Sequence, residues 1–186
     1  MEYRPLVPRR PLRVEELYSV HYFEYTGTYA FPGERHDFWE LLYVDRGEVQ
    51  VRSGEHSCRL RRGHMIFHAP GEFHAFSAVG EAPDLVVVSF RCAAPEMAFF
   101  RSLTAEVGEE ERALLARIVA EGAAAFSTPL NDSRALQLVR RETPPFGGEQ
   151  LLAAALEELL IRLLRRGSGP VEGAPPREST GTLVQV

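Results

Sequence analysis

Regularly spaced glycines are the feature that most constrains the fold of this chain. Five of them follow one another at intervals of seven to nine residues: Gly47, Gly54, Gly63, Gly71 and Gly80. Apolar and polar residues alternate in the first two segments between them, as they do in a strand with one face in water. Short strands separated by turns at this spacing predict a sandwich or a small barrel. We expect β-structure from about Leu17 to Arg91.

Two stretches of this region are too apolar to be strands with one solvent-exposed face. The run Leu85–Phe90 is nearly continuous in β-branched and other apolar residues, and Phe38–Val44 carries apolar residues on both of its sides. Strands with this composition are covered on both faces. One face is predicted to form a barrel interior and the other to pack on helices downstream.

The period of the apolar residues changes after Arg91. Short helical structure is expected at Glu96–Arg101, a helix at Glu109–Phe126 and the clearest helix at Glu149–Arg166. The predicted fold is therefore mainly β with C-terminal helices. We divide the chain into an N-terminal arm (1–16), a barrel (17–95), a helical packing and dimerisation segment (96–166) and a linker (167–186), whose Gly, Pro and Ser content is typical of linkers.

The last helix carries a broad leucine face. Core burial within one subunit explains such a face, but a face this wide also leaves leucines for a partner, because large apolar patches rarely stay exposed. The two interpretations are compatible. We predict a homodimer with these residues at its interface: Leu152, Leu156, Leu159 and Leu163.

Composition excludes several classes of function. The formal net charge is −5, whereas a surface that neutralises phosphates carries a basic excess, so this chain alone is a poor DNA binder. No apolar stretch approaches the roughly 20 residues that cross a bilayer, and the N-terminus lacks a secretory signal. We expect no membrane partner and a cytoplasmic location, where two unpaired cysteines, Cys58 and Cys92, suit the reducing environment.

Histidines and glutamates provide the candidate chemistry. His36 and Glu40 lie four residues apart and so share one face of a strand, and Glu34 has the same parity. His74 follows a Pro-Gly turn in the segment Gly63–His74. Two imidazoles with a carboxylate can hold a first-row metal. The alternative is that these histidines are core or rim residues hydrogen-bonded to neighbours.

Two motifs resemble those of cupins. The sequence GERHDFWELLYVDRG (33–47) resembles the first cupin motif, and residues 63–76 resemble the second. The more particular similarity, over residues 17–166, is to the N-terminal domains of AraC-type regulators. In those domains a strand of the form His-x-Phe-x-Glu-Leu-x-Tyr-Val precedes the glycine turn, and a leucine-rich helix follows the barrel.

The resemblance implies a cupin-like, jelly-roll barrel with a site inside it. By position, His36, Glu40 and His74 correspond to cupin metal ligands, and Glu34 stands where the family has another histidine. A mixed nitrogen and oxygen set favours zinc, iron, manganese or nickel, although many AraC-type barrels hold an organic effector and no metal. Both alternatives remain open.

With or without a metal, inner-face residues are expected to line a small-molecule pocket. The predicted ligand-binding residues are Glu34, His36, Phe38, Glu40, Leu42, Val49, Val51, His74 and Phe76. The alternative is that these side chains fill a small barrel completely.

Two functions follow from the resemblance. The first is a non-enzymatic sensor, in which a small-molecule effector controls a helix-turn-helix DNA-binding domain beyond Val186, because nothing in the chain itself looks like one. The second is a cupin metalloenzyme, an oxygenase or isomerase, using His36, Glu40 and His74. The leucine-rich helix and the linker favour the sensor. A stand-alone structural dimer is a third interpretation.

Overall fold

The computed structural model describes residues 2–167, and most of the predicted linker lies outside this range. Nine strands come first, with a short 3-10 helix at Pro95–Phe100 before the ninth. They are β1 (Glu16–Glu24), β2 (Ala30–Glu34), β3 (Trp39–Arg46), β4 (Glu48–Ser53), β5 (His56–Arg61), β6 (His64–His68), β7 (His74–Ala78), β8 (Asp84–Arg91) and β9 (Thr104–Glu106). Two helices follow, α1 (Glu109–Ala125) and α2 (Gly148–Arg166).

The strands form two antiparallel sheets. The first has the order β1-β8-β3-β6-β9 and the second the order β2-β7-β4-β5. Apolar side chains from both sheets meet between them in one core, which includes Leu42, Val49, Val51, Leu60 and Ile66. The predicted fold class, a cupin-like β-structure followed by helices, is confirmed.

The outer face of the first sheet is covered by the helices. Leu41 and Tyr43 of β3 and Val88 and Phe90 of β8 belong to a second core together with residues of α1 and α2. All of β3 from Trp39 to Val44 is buried, as are the first seven residues of β8. The expectation that these two stretches are covered on both sides is confirmed.

The leucine face of α2 packs inside the subunit. Each of the four leucines predicted at a dimer interface is 0% exposed: Leu152, Leu156, Leu159 and Leu163. Their partners are α1 and the first sheet, so the chain itself supplies the apolar surface that the leucine pattern requires. These four side chains have no free surface for a second copy, and their assignment to an interface is corrected to core burial. A dimer formed through other residues stays a prediction.

A glycine permits close packing of α1 against the first sheet. Gly122 lies in the last turn of α1, and glycine inside a helix costs up to about 1 kcal/mol relative to alanine. A Cβ at this position would lie 2.9 Å from Cγ1 of Val20 in β1. The missing side chain therefore lets the helix backbone approach the strand.

The sequence did not indicate β9 or the packing of the arm. β9 pairs with β6, so the first sheet extends past residue 95, and three residues are too few to show an alternation. In the arm, Leu12 is buried and the Val14 N–H donates to Glu157 Oε1 of α2 at 2.9 Å. Within residues 2–167, neither helix has the length and apolar character needed to cross a membrane.

Candidate metal and ligand site

Four side chains converge at one end of the barrel interior. Glu34 ends β2, His36 follows it in the connection to β3, Glu40 lies in β3 and His74 begins β7. Glu34 and His74 are paired across β2 and β7. One ligand atom from each of the four lies within 4.8 Å of all the others. The structure thus brings together the four residues that the sequence suggested as metal ligands, and we refer to them as the His/Glu cluster.

Backbone carbonyls orient both imidazoles of the cluster. His36 Nδ1 lies 3.0 Å from the carbonyl oxygen of Phe38, and His74 Nδ1 lies 3.2 Å from that of Glu72. A carbonyl only accepts hydrogen bonds, so each Nδ1 carries a proton and donates it. The Nε2 atom of each ring is left facing the carboxylates. Metal-binding histidines are commonly oriented by this kind of contact.

The two Nε2 atoms are buried and, among the described residues, have no hydrogen-bond partner. They lie 3.5 Å (His36) and 3.3 Å (His74) from oxygens of Glu40, without hydrogen-bond geometry. Distances from the same atoms to Glu34 are 4.0 and 3.7 Å. Buried polar atoms without partners are rare in folded proteins. A cation held among these four groups would satisfy both nitrogens.

Opposite charges hold the cluster together. Burial alone would raise the pKa of the Glu40 carboxyl, but the facing imidazoles of His36 and His74 outweigh burial and keep that pKa well below its usual range. Burial likewise opposes the charged form of His74, yet Glu34 and Glu40 raise its pKa to about 10. Without another cation, the proton on His74 balances the carboxylates, and a metal ion would replace that proton.

A second group of residues contacts His74 and the turn that precedes it. The ring of His68 stacks on that of His74, and His68 Nδ1 lies 3.2 Å from Ser53 Oγ. Ser53 in turn donates to Glu72 Oε1, while the Ala69 N–H donates to Glu72 Oε2 at 2.9 Å. These contacts tie the β6–β7 turn to β4. They fix the backbone that presents His74.

A cavity of about 300 Å³ opens beside the His/Glu cluster. Its walls come mainly from β1, β2, β7 and the inner face of the first sheet, and many of the lining residues are Phe or Tyr. Of the nine predicted ligand-binding residues, Glu34, Phe38, Glu40 and Phe76 line this cavity. His36 and His74 complete the cluster at its side.

Three predicted ligand-binding residues do not line the cavity. Leu42, Val49 and Val51 point into the barrel as their parity requires, but each is at most 1% exposed. At their level the interior is filled by side chains of the facing strands, such as Ile66 and Leu60. The space for a ligand lies instead between the edge strands β1 and β2. Strand parity gives the direction of a side chain but does not show where the interior remains empty.

The segment between α1 and α2 borders the open edge of the cavity. We call residues 127–147 the wall segment, because Ser133, Ala135 and Leu136 line the cavity. The carbonyl oxygen of Leu130 accepts the backbone N–H of Tyr22 at 3.0 Å and lies 3.1 Å from Nδ1 of His21. The wall segment is thus attached to β1 at the level of the ligand space.

Comparison with known families decides the class of this domain. The family model of the AraC-like ligand-binding domain matches residues 16–164. The chain belongs to this family. The family that the sequence motifs suggested is confirmed. The cavity and the His/Glu cluster of this AraC-like domain both lie within the matched residues. No curated protein matches the sequence at a significant level.

Solved structures similar to the AraC-like domain include two cupin domains and HppE. A cupin 2 conserved barrel domain protein from Rhodopseudomonas palustris is 26% identical, with 40% of this chain and 55% of that chain covered and a TM-score of 0.36. The Schizosaccharomyces pombe Cnp3 cupin domain is 11% identical, with 49% and 68% covered and a TM-score of 0.39. The cobalt(II) form of HppE in complex with substrate is 26% identical, with 32% and 36% covered and a TM-score of 0.30. The chain thus spans about half the length of the Rhodopseudomonas protein.

The sequence analysis of the AraC-like domain missed several residues at this site. Ser19 and His21 of β1 line the cavity, and a signal for them existed, because Ser19, His21 and Phe23 alternate on one face of a strand. The wall segment gave no such signal. Its prolines and glycines indicated only irregular structure, and its attachment to β1 is made by the backbone oxygen of Leu130.

Proposed function

We propose that this domain is the effector-sensing part of an AraC-type transcription regulator. The observation that supports the proposal is the cavity of about 300 Å³, which has aromatic walls and a few convergent polar groups. That combination is typical of small-molecule sites. The effector enters between β1 and β2 and contacts Phe38, Phe76 and the carboxylates of Glu34 and Glu40.

Binding is transmitted through the wall segment. This segment contacts the ligand space and leads directly into α2, which precedes the linker. An effector that binds one position of the wall segment more tightly than another shifts the population toward that position. In this proposal, DNA is bound only by a helix-turn-helix domain beyond this chain, and the regulator works as a cytoplasmic homodimer.

The His/Glu cluster fits a divalent metal. Two imidazole nitrogens and two carboxylates suit zinc, iron, manganese or nickel, and the unpaired Nε2 atoms of His36 and His74 support this assignment. Glu34, His36, Glu40 and His74 would hold the ion. When bound there, such an ion would supply Lewis-acid chemistry next to the cavity.

The proposal is tested by filling the cavity. Compounds from a small-molecule library that raise the melting temperature of the domain are retested on Ala135→Trp, which inserts a ring into the cavity from the wall segment. Ala154→Trp, on the exposed side of α2, is the matched control. We expect Ala135→Trp to abolish the shift and Ala154→Trp to keep it. Hits that bind both variants equally would place the ligand elsewhere and contradict the proposal.

The metal is tested separately. Protein produced without a histidine tag in metal-replete medium is expected to contain one equivalent of metal, which His74→Ala loses and the exposed His56→Ala retains. Absence of metal from the unmodified protein would leave a purely organic effector site.

A cupin metalloenzyme is the second candidate, favoured by the unpaired imidazole nitrogens of the cluster. In that case His36, Glu40 and His74 would hold an iron or manganese ion, which would supply Lewis-acid or redox chemistry to a substrate in the cavity. The two functions differ in the fate of a bound compound. Mass spectrometry of a hit incubated with metal-loaded domain distinguishes them, since a sensor returns the compound unchanged.

A further inference from the structure

The wall of the cavity formed by β1 presents hydrogen-bond acceptors. Ser89 Oγ donates to Glu40 Oε2 at 3.1 Å, because a carboxylate only accepts. Ser19 Oγ lies 2.8 Å from Ser89 Oγ, whose single proton is already used. Ser19 must therefore donate to Ser89, and its oxygen offers the cavity only lone pairs.

His21 presents an acceptor for a similar reason. Its Nδ1 faces the carbonyl oxygen of Leu130 and must carry a proton to donate there. Burial lowers the pKa of His21, against weaker opposing effects of Leu130 and the carboxylates of Glu40, Asp132 and Glu34. Burial therefore favours the neutral ring, in which Nε2 is an unprotonated acceptor, and the ring lines the cavity.

Most of the other residues that line the cavity carry aromatic rings. Tyr25 and Tyr29 stack with centroids 3.9 Å apart, and Phe76 lies 5.6 and 5.9 Å from them. Phe31 lies 5.5 Å from Phe76, and the His21 ring itself stacks on Phe23 at 4.6 Å. Rings arranged in this way favour a flat partner, through offset stacking and edge contacts.

We propose that the effector is a small, flat aromatic molecule bearing an N–H or O–H group, and that His21 recognises that group while holding the wall segment through Leu130. A cavity of about 300 Å³ accommodates one ring or a fused pair, given that a cavity of about 150 Å³ binds benzene in another protein. His21 is thus a specificity-determining residue, and it requires no contribution from a metal.

This inference rests on the proposed sensing function, because it assumes that the cavity is the effector site. Its test uses pairs of probes that differ only in the donor: indole against 1-methylindole, and phenol against anisole. Titration calorimetry with the unmodified domain is expected to show that the donor-bearing member of each pair binds about tenfold more tightly, as one hydrogen bond to a buried acceptor allows. Equal binding within both pairs would overturn the role of His21.

Variants of His21 separate its two contacts. His21→Asn keeps an amide N–H near the position of Nδ1, so the bond to Leu130 is retained while Nε2 is lost. We expect this variant to bind indole and 1-methylindole equally, whereas His56→Asn on the exposed edge of β5 keeps the preference. A His21→Asn variant that retains the full preference would overturn the assignment.

Probes of other classes distinguish this inference from the function on which it rests. A polyol (sorbitol) and an alkyl amine (cyclohexylamine) are titrated alongside. Binding of either with no binding of the aromatic probes would overturn the aromatic class and leave the sensing function in place. If no compound of these panels or of the thermal-shift library binds, both the aromatic effector class and the sensing function are overturned.

Discussion

The imidazoles of His68 and His74 lie stacked inside the barrel, with ring centroids 4.3 Å apart and planes 12° from parallel. Ser53 gives its only proton to Glu72, so His68 Nδ1 must carry the proton that joins it to Ser53 Oγ. Desolvation by burial, aided by His74, lowers the pKa of His68 to about 3, so its ring is neutral. A neutral ring of fixed tautomer can rest against His74 without adding charge to the cluster.

Glu72 is expected to control metal binding without being a ligand. Glu72→Ala removes the acceptor for Ser53 and for the Ala69 N–H, so the turn that presents His74 loosens. We predict zinc affinity about tenfold weaker by titration calorimetry, the lower end of effects seen for residues behind metal ligands. Glu55→Ala, on the exposed β4–β5 turn, is the control. Unchanged affinity in Glu72→Ala would show that the turn is fixed by other contacts.

Leu156 is expected to stabilise the monomer fold. Leu156→Ala leaves a cavity in the core between α2 and the first sheet and is predicted to lower the free energy of unfolding by about 2–5 kcal/mol. Leu151→Ala, on the partly exposed side of the same helix, should cost less than about 1 kcal/mol. The measurement is denaturant unfolding at two protein concentrations. If the loss of unfolding free energy depends on protein concentration, Leu156 lies at a subunit interface instead.

Stability is predicted to depend on pH through His21. Its pKa in the folded protein lies below the ordinary value of 6.5, so below pH 6.5 the unfolded chain binds a proton that the folded protein does not. The stability associated with neutral His21 is complete above pH 6.5 and is lost as the pH falls.

The pH prediction is checked by melting temperatures of the unmodified domain and His21→Asn across this range. We expect the difference between the two proteins to change between pH 7.5 and 5.5, with the unmodified domain losing more stability. A difference that stays constant would mean that His21 titrates normally.

Both thiols are predicted to be unreactive in the folded protein. Cys58 and Cys92 are buried, and burial raises the pKa of Cys58 to about 11, so little thiolate exists at pH 7.5. A disulfide reagent such as DTNB should react with them only as fast as the protein unfolds, and promptly in guanidinium chloride. Rapid reaction of one thiol without denaturant would reveal local opening of the strand that carries it.

The sequence predicted those features that depend on local periodicity. Glycine spacing indicated the strands and leucine spacing indicated α2. The four-residue spacing of His36 and Glu40 predicted that both lie on one face of a strand, which was wrong: His36 lies in the connection before β3, and only Glu40 lies in that strand. The sequence could not show that the interior around Val49 and Val51 is filled by other side chains, because those side chains come from the facing strands. Nor could it assign the α2 leucines to the core, since an apolar face looks the same whether its partner is the same chain or another.

The wall segment is fastened to β1 by the main-chain oxygen of Leu130, which every amino acid would supply. Substitutions at Ser133, Ala135 and Leu136 can therefore reshape the ligand space while the bonds that attach the segment to β1 persist. The residues that attach the segment and the residues that face the ligand are different ones. Random mutagenesis confined to these three positions is thus a direct route to domains of this scaffold that respond to new compounds.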